Sequence, residues 1–332
     1  WWLLNYRKDK LYEAGKKEKA KRAVVETWEE YDQLAAEMDD QANDFWGALE
    51  YRSPFWNKFH WMTRFQSKGV LYFDKDMKSM ASSPESIKTV EDMVALQKYM
   101  PQEQFSYGFT ENYAQYYAGG RGFFEFGWPS LWRYSHDAAG AQSIIAGKDA
   151  DGWPTQTGIS KVPGDIVNGE LIRADVMPFA WDFVVNAHSE IPEAAYLYAQ
   201  WLTGPTMSMR SIPNEGGYFD PWRNNHFLDP SPEFYAAYPG DFLATSYEAV
   251  VDCVPEIILR GGAEYHDALD RNLQAAYNNQ KTPEEAMKDT AKEQDRITRR
   301  LGKATQIEAW RALAAMYPSA LQKASGADKW GA

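Results

Sequence analysis

The sequence has 332 residues, enough for one large or two ordinary domains, and its 44% hydrophobic and 25% charged residues are ordinary globular values. A formal net charge of −12, from 35 Lys and Arg against 47 Asp and Glu, argues against nucleic acid as a partner, and no apolar run approaches the ~18 residues of a membrane helix. The outlying number is aromatic: 15%, with 14 Trp, 20 Tyr and 16 Phe, more rings than a core requires and a pointer to a cleft that recognises something flat and partly apolar.

Trp1 to Tyr6 is apolar and strand-like, and the basic segment from Arg7 to Arg22 reads as a solvated connection. Trp1 and Trp2 stand where a signal peptide would have a Met, a basic stretch and an apolar core, so none is read there. Thr27 and Glu30 form a capping box, and Trp28, Tyr31, Ala35, Met38, Ala42 and Phe45 recur at helical spacing, predicting a helix that runs on to Phe45. From Phe45 to Phe73 the chain is dense in rings. Ser83 and Pro84 open another helix. Phe123 to Phe126 reads as a buried strand, Gly140 to Gly169 as loop, and Trp181 to Asn186 as a second short strand. A helix over Glu193 to Leu202 stops at Gly204 and Pro205, and its Trp201, like Trp28, is assigned to a helix core. Gly216 to Pro232 is a proline-punctuated aromatic loop, followed by helices over Tyr265 to Tyr277, from Thr282 onward, and over Gln306 to Met316.

The five histidines, at positions 60, 136, 188, 226 and 266, are too scattered for a zinc pair on one helix. The single Cys253 permits no intramolecular disulfide and no cysteine metal cluster, and reads as a small apolar residue. No nucleophile elbow or phosphate loop is present, and Gly119, Gly120 and Gly122 fail the dinucleotide spacing. Neither a metal nor a cofactor is implied. A carboxylate pair for glycoside hydrolysis stays open, because such acids need proximity in space and not in sequence.

Four segments in order carry a family resemblance. Asn5-Tyr6-Arg7-Lys8-Asp9 with Tyr12-Glu13-Ala14-Gly15 and Thr27-Trp28-Glu29-Glu30 is the first. The second is Ala118-Gly119-Gly120-Arg121-Gly122 leading into Phe126-Gly127-Trp128. Asn186-Ala187 with Pro192-Glu193-Ala194-Ala195 and Trp201-Leu202-Thr203 is the third, and Thr282-Pro283-Glu284-Glu285-Ala286 through Leu301 is the fourth. Together they resemble the extracellular solute-binding proteins of ABC importers, the maltose-binding-protein-like sugar and polyol group.

The resemblance implies a helix-rich α/β, periplasmic-binding-protein-like two-lobe (type II) fold with the first lobe incomplete in this chain. Residues 1–6 would be a crossover strand, 7–180 and 229–332 the two parts of the C-terminal lobe with the hinge, and 181–228 a segment returning from the N-terminal lobe. The implied function is binding of a small carbohydrate or polyol in an aromatic cleft between lobes and delivery to an ABC-transporter permease. The implied protein is a periplasmic or extracellular monomer, not membrane-spanning and not an enzyme. The alternative is a secreted glycoside hydrolase with a similar cleft.

Sugars present apolar C–H faces and a rim of hydroxyls, so rings and forked polar groups together are the expected lining. Trp128 matches the family's stacking ring, against the alternative of a core Trp before a Pro turn. Asp182, between Trp181 and Phe183, needs a ligand hydroxyl or a basic partner if it is buried. In Gly217-Tyr218-Phe219-Asp220-Pro221-Trp222-Arg223, similar to an element of some sugar and polyol binders, Tyr218 and Trp222 are candidate stacking rings. Arg223 there is expected to fork onto hydroxyls or to pair with Asp220. Tyr51, Arg52 and Trp56 are candidates from the ring-dense stretch, and Tyr265, beside Glu264 and His266, comes from a helix whose start lies near the cleft in the family.

Overall fold

The opening strand β1 (Leu3–Arg7) lies inside a sheet of order β2-β3-β1-β4, with β2 (Trp46–Leu49), β3 (Gly122–Gly127) and β4 (Thr157–Ser160). It runs antiparallel to β3, pairing Leu4 with Phe126, and antiparallel to β4, while β2 and β3 are parallel. β1 and β3 are buried along their whole length, which is why they are mostly apolar without strict alternation, with Asn5, Arg7 and Glu125 as their buried polar members. The computed structural model describes residues 1–20, 24–136, 142–147, 152, 155–176, 182–214, 220–238 and 240–330.

Helix Trp28–Met38 begins at the expected capping box and buries Trp28, Tyr31, Leu34 and Ala35. Tyr31 stacks on Phe124 with centroids 4.6 Å apart, and Trp28 meets Phe126 at 5.8 Å, which lays the helix across β3. The helix stops at Met38, short of the expected Phe45. A short 3₁₀ turn over Gln41–Asn43 and a left-handed Asp44 (φ 54°) redirect the chain into β2. At Gly47 the strand passes so close to the helix that a Cβ would stand 2.0 Å from the Ala35 carbonyl oxygen.

Helices Asn57–Ser67, Pro84–Leu96, Gly262–Tyr277 and Pro283–Leu301 pack on one another around the main core. Ser83 and Thr282 cap two of them as expected, each with Pro following. A second core gathers Leu3, Trp132, Ile159, Ile212, Phe234 and Phe242. The stretch expected to be loop contains β4 and β5 (Asp165–Val167), and β5 pairs as a hairpin with β6 (Glu170–Ile172), which follows directly after that stretch. A two-residue parallel pair joins β7 (Asp175–Val176) to β8 (Cys253–Val254).

Two further expectations are corrected. Residues 182–186 have no regular structure and are largely exposed, so the second short strand does not form over them. Helix Pro192–Thr203 forms, but it buries no residue: Trp201 is 55% exposed, alongside exposed Tyr196, Leu197 and Tyr198. The helical period of that segment is genuine, whereas the core to which Trp201 was assigned is not among the described residues.

Candidate ligand-binding site

Strand β3 ends at Gly127, and Trp128 follows in extended conformation because Pro129 starts a helix, Pro129–Ser135, and excludes a helical residue before it. The Trp128 N–H donates to the Tyr113 hydroxyl at 2.7 Å, which ties the strand end to helix Phe109–Tyr117. Around the half-buried Trp128 ring stand Phe109 at 5.7 Å, Trp56 at 6.1 Å and Trp2 at 6.1 Å, all edge-on, with Tyr51 nearly parallel at 6.5 Å. Trp56 in turn meets Phe109 at 5.6 Å and Phe55 at 5.1 Å. Phe55, Trp56, Phe109 and Trp128 thus form a continuous, partly exposed rim over buried Tyr51, Tyr113 and Trp2.

Tyr51, Glu125 and Glu50, behind this rim, have internal partners. The Tyr51 hydroxyl donates to the Phe126 carbonyl, and Tyr51 has no accessible surface. Glu125 on β3 is fully buried, with both carboxyl oxygens accepting from Asn112 Nδ2 at 3.0 and 2.9 Å. Burial pushes its pKa well above the usual carboxylate range. Deeper still, Glu50 pairs with Arg52 at 2.7 Å, accepts from the Tyr31 hydroxyl at 2.9 Å, and lies 3.7 Å from Arg64, which also forks onto Asp32.

Of the residues singled out from sequence, Trp128 and Trp56 come together on the rim, with Tyr51 directly behind. Arg52 is a correction: it is fully buried, with Glu50 as counter-charge and the Tyr277 hydroxyl at 3.1 Å, so its guanidinium has no surface to offer a ligand. Tyr265 is corrected for the same reason. It is fully buried on the inner stripe of its helix with Ala268, Leu269 and Leu273, and its hydroxyl meets Thr298 at 2.9 Å and Gln306 at 3.0 Å. Asp182 is exposed and needs neither of the partners that burial would demand. Trp181 and Tyr218 lie outside the described residues.

Asp220 is tied to the helix that follows Trp128. Its Oδ1 accepts the Ser130 N–H at 2.6 Å, in the first turn of helix Pro129–Ser135. Burial raises its pKa to about 7 despite that hydrogen bond. Arg223 takes neither expected partner: its Nε and Nη2 donate to the Thr203 carbonyl at 2.9 and 2.6 Å, closing the end of helix Pro192–Thr203. Trp222 stands edge-on to His226 at 5.3 Å and is 43% exposed. His226 Nδ1 accepts the Trp222 and Arg223 N–H groups while its Nε2 faces Ser208 Oγ at 2.9 Å. That is the pattern of a neutral imidazole, and burial accordingly lowers its pKa to about 4.

Phe55 and Phe109 complete the rim but were not singled out from sequence. The available signals were a ring between Pro54 and Trp56, and a ring directly after the helix-opening Gly108. A cavity of about 780 Å³ lies elsewhere, lined by Pro205, Met209, Arg210, Asn214, Asn225 and Glu233 among others, and shares no lining residue with the rim. Among the described residues no group of three His, Cys, Asp or Glu side chains is placed to hold a metal ion, and no helix is long and apolar enough to cross a membrane.

The family model described as bacterial extracellular solute-binding protein matches residues 1–239. No curated protein matches the sequence. Among solved structures, the chain is similar to maltose-bound MalE3 of T. maritima, with TM-score 0.70 and 23% identity over 89% of this chain and 70% of that one. It is also similar to an ABC-transporter solute-binding protein of Agrobacterium vitis S4 with bound D-mannitol, with TM-score 0.71 and 19% identity over 91% and 71% of the two chains. A third, from Agrobacterium radiobacter K84 in complex with ribitol, gives TM-score 0.67 and 18% identity over 89% and 69%. At these identities the likeness establishes the fold, a helix-rich α/β architecture of the periplasmic-binding-protein kind. With the family match extending over residues 1–239, well over half of the chain, the chain belongs to the bacterial extracellular solute-binding proteins.

Proposed function

We propose that the protein binds a small carbohydrate or polyol against the rim of Phe55, Trp56, Phe109 and Trp128 and delivers it to an ABC-transporter permease. The observation that carries this reading is the rim itself: four adjoining rings left partly open to solvent at the end of a buried strand. Stacking on the C–H face of a sugar or polyol uses such rings without demanding buried charge. The ligands printed for the similar structures, maltose, D-mannitol and ribitol, agree in class.

Binding is reversible and has no covalent step, in keeping with a family of binding proteins. The working protein has two lobes that close on the ligand, and contacts to both lobes shift the open–closed equilibrium. Helix Pro192–Thr203 supports the two-lobe reading: apolar on several sides yet without a buried residue, it has the character of an element that packs against further protein. Residues 181–228 are accordingly the segment returning from the first lobe. The protein acts as a periplasmic or extracellular monomer.

Titration of intrinsic tryptophan fluorescence with maltose, D-mannitol and ribitol tests the reading, since Trp56 and Trp128 stand where the ligand would quench or shift them. A saturable change with at least one of the three is expected, together with no release of reducing ends from maltodextrins. Saturable binding of organic acids or peptides in place of all three ligands would refute the ligand class, and reducing-end release would refute the reading as a binding protein.

A further inference from the structure

Phe55 combines properties that rarely coexist. Its backbone is left-handed, with φ 75°, a region that residues with a Cβ avoid because it crowds the neighbouring carbonyl. Its ring is 48% exposed, so burial does little to offset that strain. The residue is instead gripped at both ends of its backbone. The Phe55 N–H donates to Asp270 Oδ1 at 2.8 Å, and the Phe55 carbonyl accepts from Lys58 Nζ at 2.6 Å.

Both gripping groups are themselves held. Asp270 Oδ1 also accepts from Asn57 Nδ2 at 2.8 Å, and Asp270 rides on helix Gly262–Tyr277, far along the chain from Phe55. The buried Lys58 ammonium lies 3.8 Å from the centroid of the Phe55 ring and 4.7 Å from that of Phe59, a cation over two aromatic faces. Burial pulls the Lys58 pKa down, and Asp270, Glu256 and Asp267 pull it back up. A strained backbone persists where its surroundings over-determine it, and such places concentrate at ligand clamps.

We propose that Lys58 and Asp270 are positioning residues that hold Phe55 in its left-handed turn, so that its ring extends the Trp56–Phe109–Trp128 rim toward the ligand. This rests on the reading of the rim as the ligand site. Neither residue touches the ligand; each acts through the ring it orients. The assignment separates two jobs that one residue usually combines, because the backbone of Phe55 is fixed by charged groups while its side chain stays about half exposed.

Glycine accepts a φ of 75° without strain, which gives the idea a distinctive signature. Calorimetric titration with maltose, D-mannitol and ribitol, paired with thermal melting, is run on wild type, Phe55→Gly, Asp270→Ala, Asp270→Asn and the double variant Phe55→Gly/Asp270→Ala. Phe55→Gly is expected to melt no lower than wild type yet bind about tenfold more weakly, the loss of one stacking ring. Asp270→Ala is expected to weaken binding by a similar factor and to have no further effect in the Phe55→Gly background. Asp270→Asn retains an Oδ1 acceptor for the Phe55 N–H and is expected to bind like wild type. Should Asp270→Ala fail to fold, Lys58→Met, which keeps the apolar stem and loses the donor, carries the same expectation.

Wild-type affinity in Asp270→Ala or Lys58→Met alongside weak binding by Phe55→Gly would overturn the positioning role and leave the sugar reading intact. Wild-type affinity in Phe55→Gly would remove Phe55 from the site and overturn the proposal. A wild-type protein that binds none of the three probes would overturn the proposal together with the reading it rests on.

Discussion

Replacing Glu50 by glutamine removes a buried charge on which the inner wall of the site depends. Glu50 follows β2 directly and precedes Tyr51, and it has no accessible surface. Burial by itself would raise its pKa, but Arg52 at 2.7 Å, His60 at 3.6 Å and Arg64 at 3.7 Å outweigh burial and lower it from 4.5 to about 2. That gap corresponds to about 3 kcal/mol in favour of the folded state at neutral pH. Breaking a buried ion pair by removing one partner costs about 3–5 kcal/mol, the same range by an independent route. Arg64 retains Asp32 as a partner, whereas Arg52 is left with the Tyr277 hydroxyl and the Met93 carbonyl, so the cost falls on Arg52.

For a chain of this length the unfolding entropy is roughly 0.7 kcal/mol per kelvin, so Glu50→Gln should melt about 4–7 °C below wild type at pH 7. The folded pKa lies below the ordinary value, so the Glu50 contribution is fully present above pH 4.5 and is lost as pH falls toward about 2. The melting gap between the two proteins should therefore narrow through that window. His60 is held neutral by burial with its pKa near 3, and Glu50, 3.6 Å away, keeps that value from falling further, so its own acid loss falls in the same window. Differential scanning calorimetry at pH 7 and pH 3 measures both quantities. A variant melting within about 1 °C of wild type at pH 7, or a gap unchanged at pH 3, would refute the reasoning.

Two further outcomes are specific. Tyr265→Phe loses hydrogen bonds to Thr298 and Gln306 and should destabilise the protein by about 1 kcal/mol, measured by urea unfolding, while leaving ligand affinity unchanged; an affinity loss would restore Tyr265 to the site. Asp220 has a folded pKa near 7, above the ordinary 3.8, so its stabilising contribution is present below pH 3.8 and lost as pH rises through about 7. Wild type should lose thermal stability relative to Asp220→Asn across that window, and a pH-independent difference would contradict the assignment.

The sequence carried the parts of the fold that depend on local chemistry. Capping boxes and N-terminal prolines marked helices at Thr27, Ser83 and Thr282, and the ring-rich run Phe123 to Phe126, broken only by Glu125, marked a strand buried on both faces. It also pointed to Trp128, since a ring at a strand end before Pro has few ways to turn, and the structure brings Trp56 beside it. What escaped depends on tertiary partners. Arg52 reads as a polar candidate until Glu50, two residues before it, is seen to pair with it inside the core. Tyr265 was legible in principle, since it shares a three-and-four spacing with Ala268, Leu269 and Leu273, the mark of a core face. Arg223 turned to a helix-end carbonyl and not to Asp220, a choice set by the neighbouring Thr203 and not by the loop's own spacing. Phe55 was hidden most deeply, because a left-handed phenylalanine has no signature in composition or period.

The central claim is that Trp128 and its neighbouring rings form the binding surface for a small carbohydrate or polyol. Isothermal titration calorimetry of wild type and Trp128→Ala with maltose, D-mannitol and ribitol tests it most directly. The account predicts saturable binding of at least one of them by wild type, weakened about tenfold or more in Trp128→Ala, with a variant that still melts cooperatively. Undiminished affinity in Trp128→Ala, or no binding of any of the three by wild type, would contradict it.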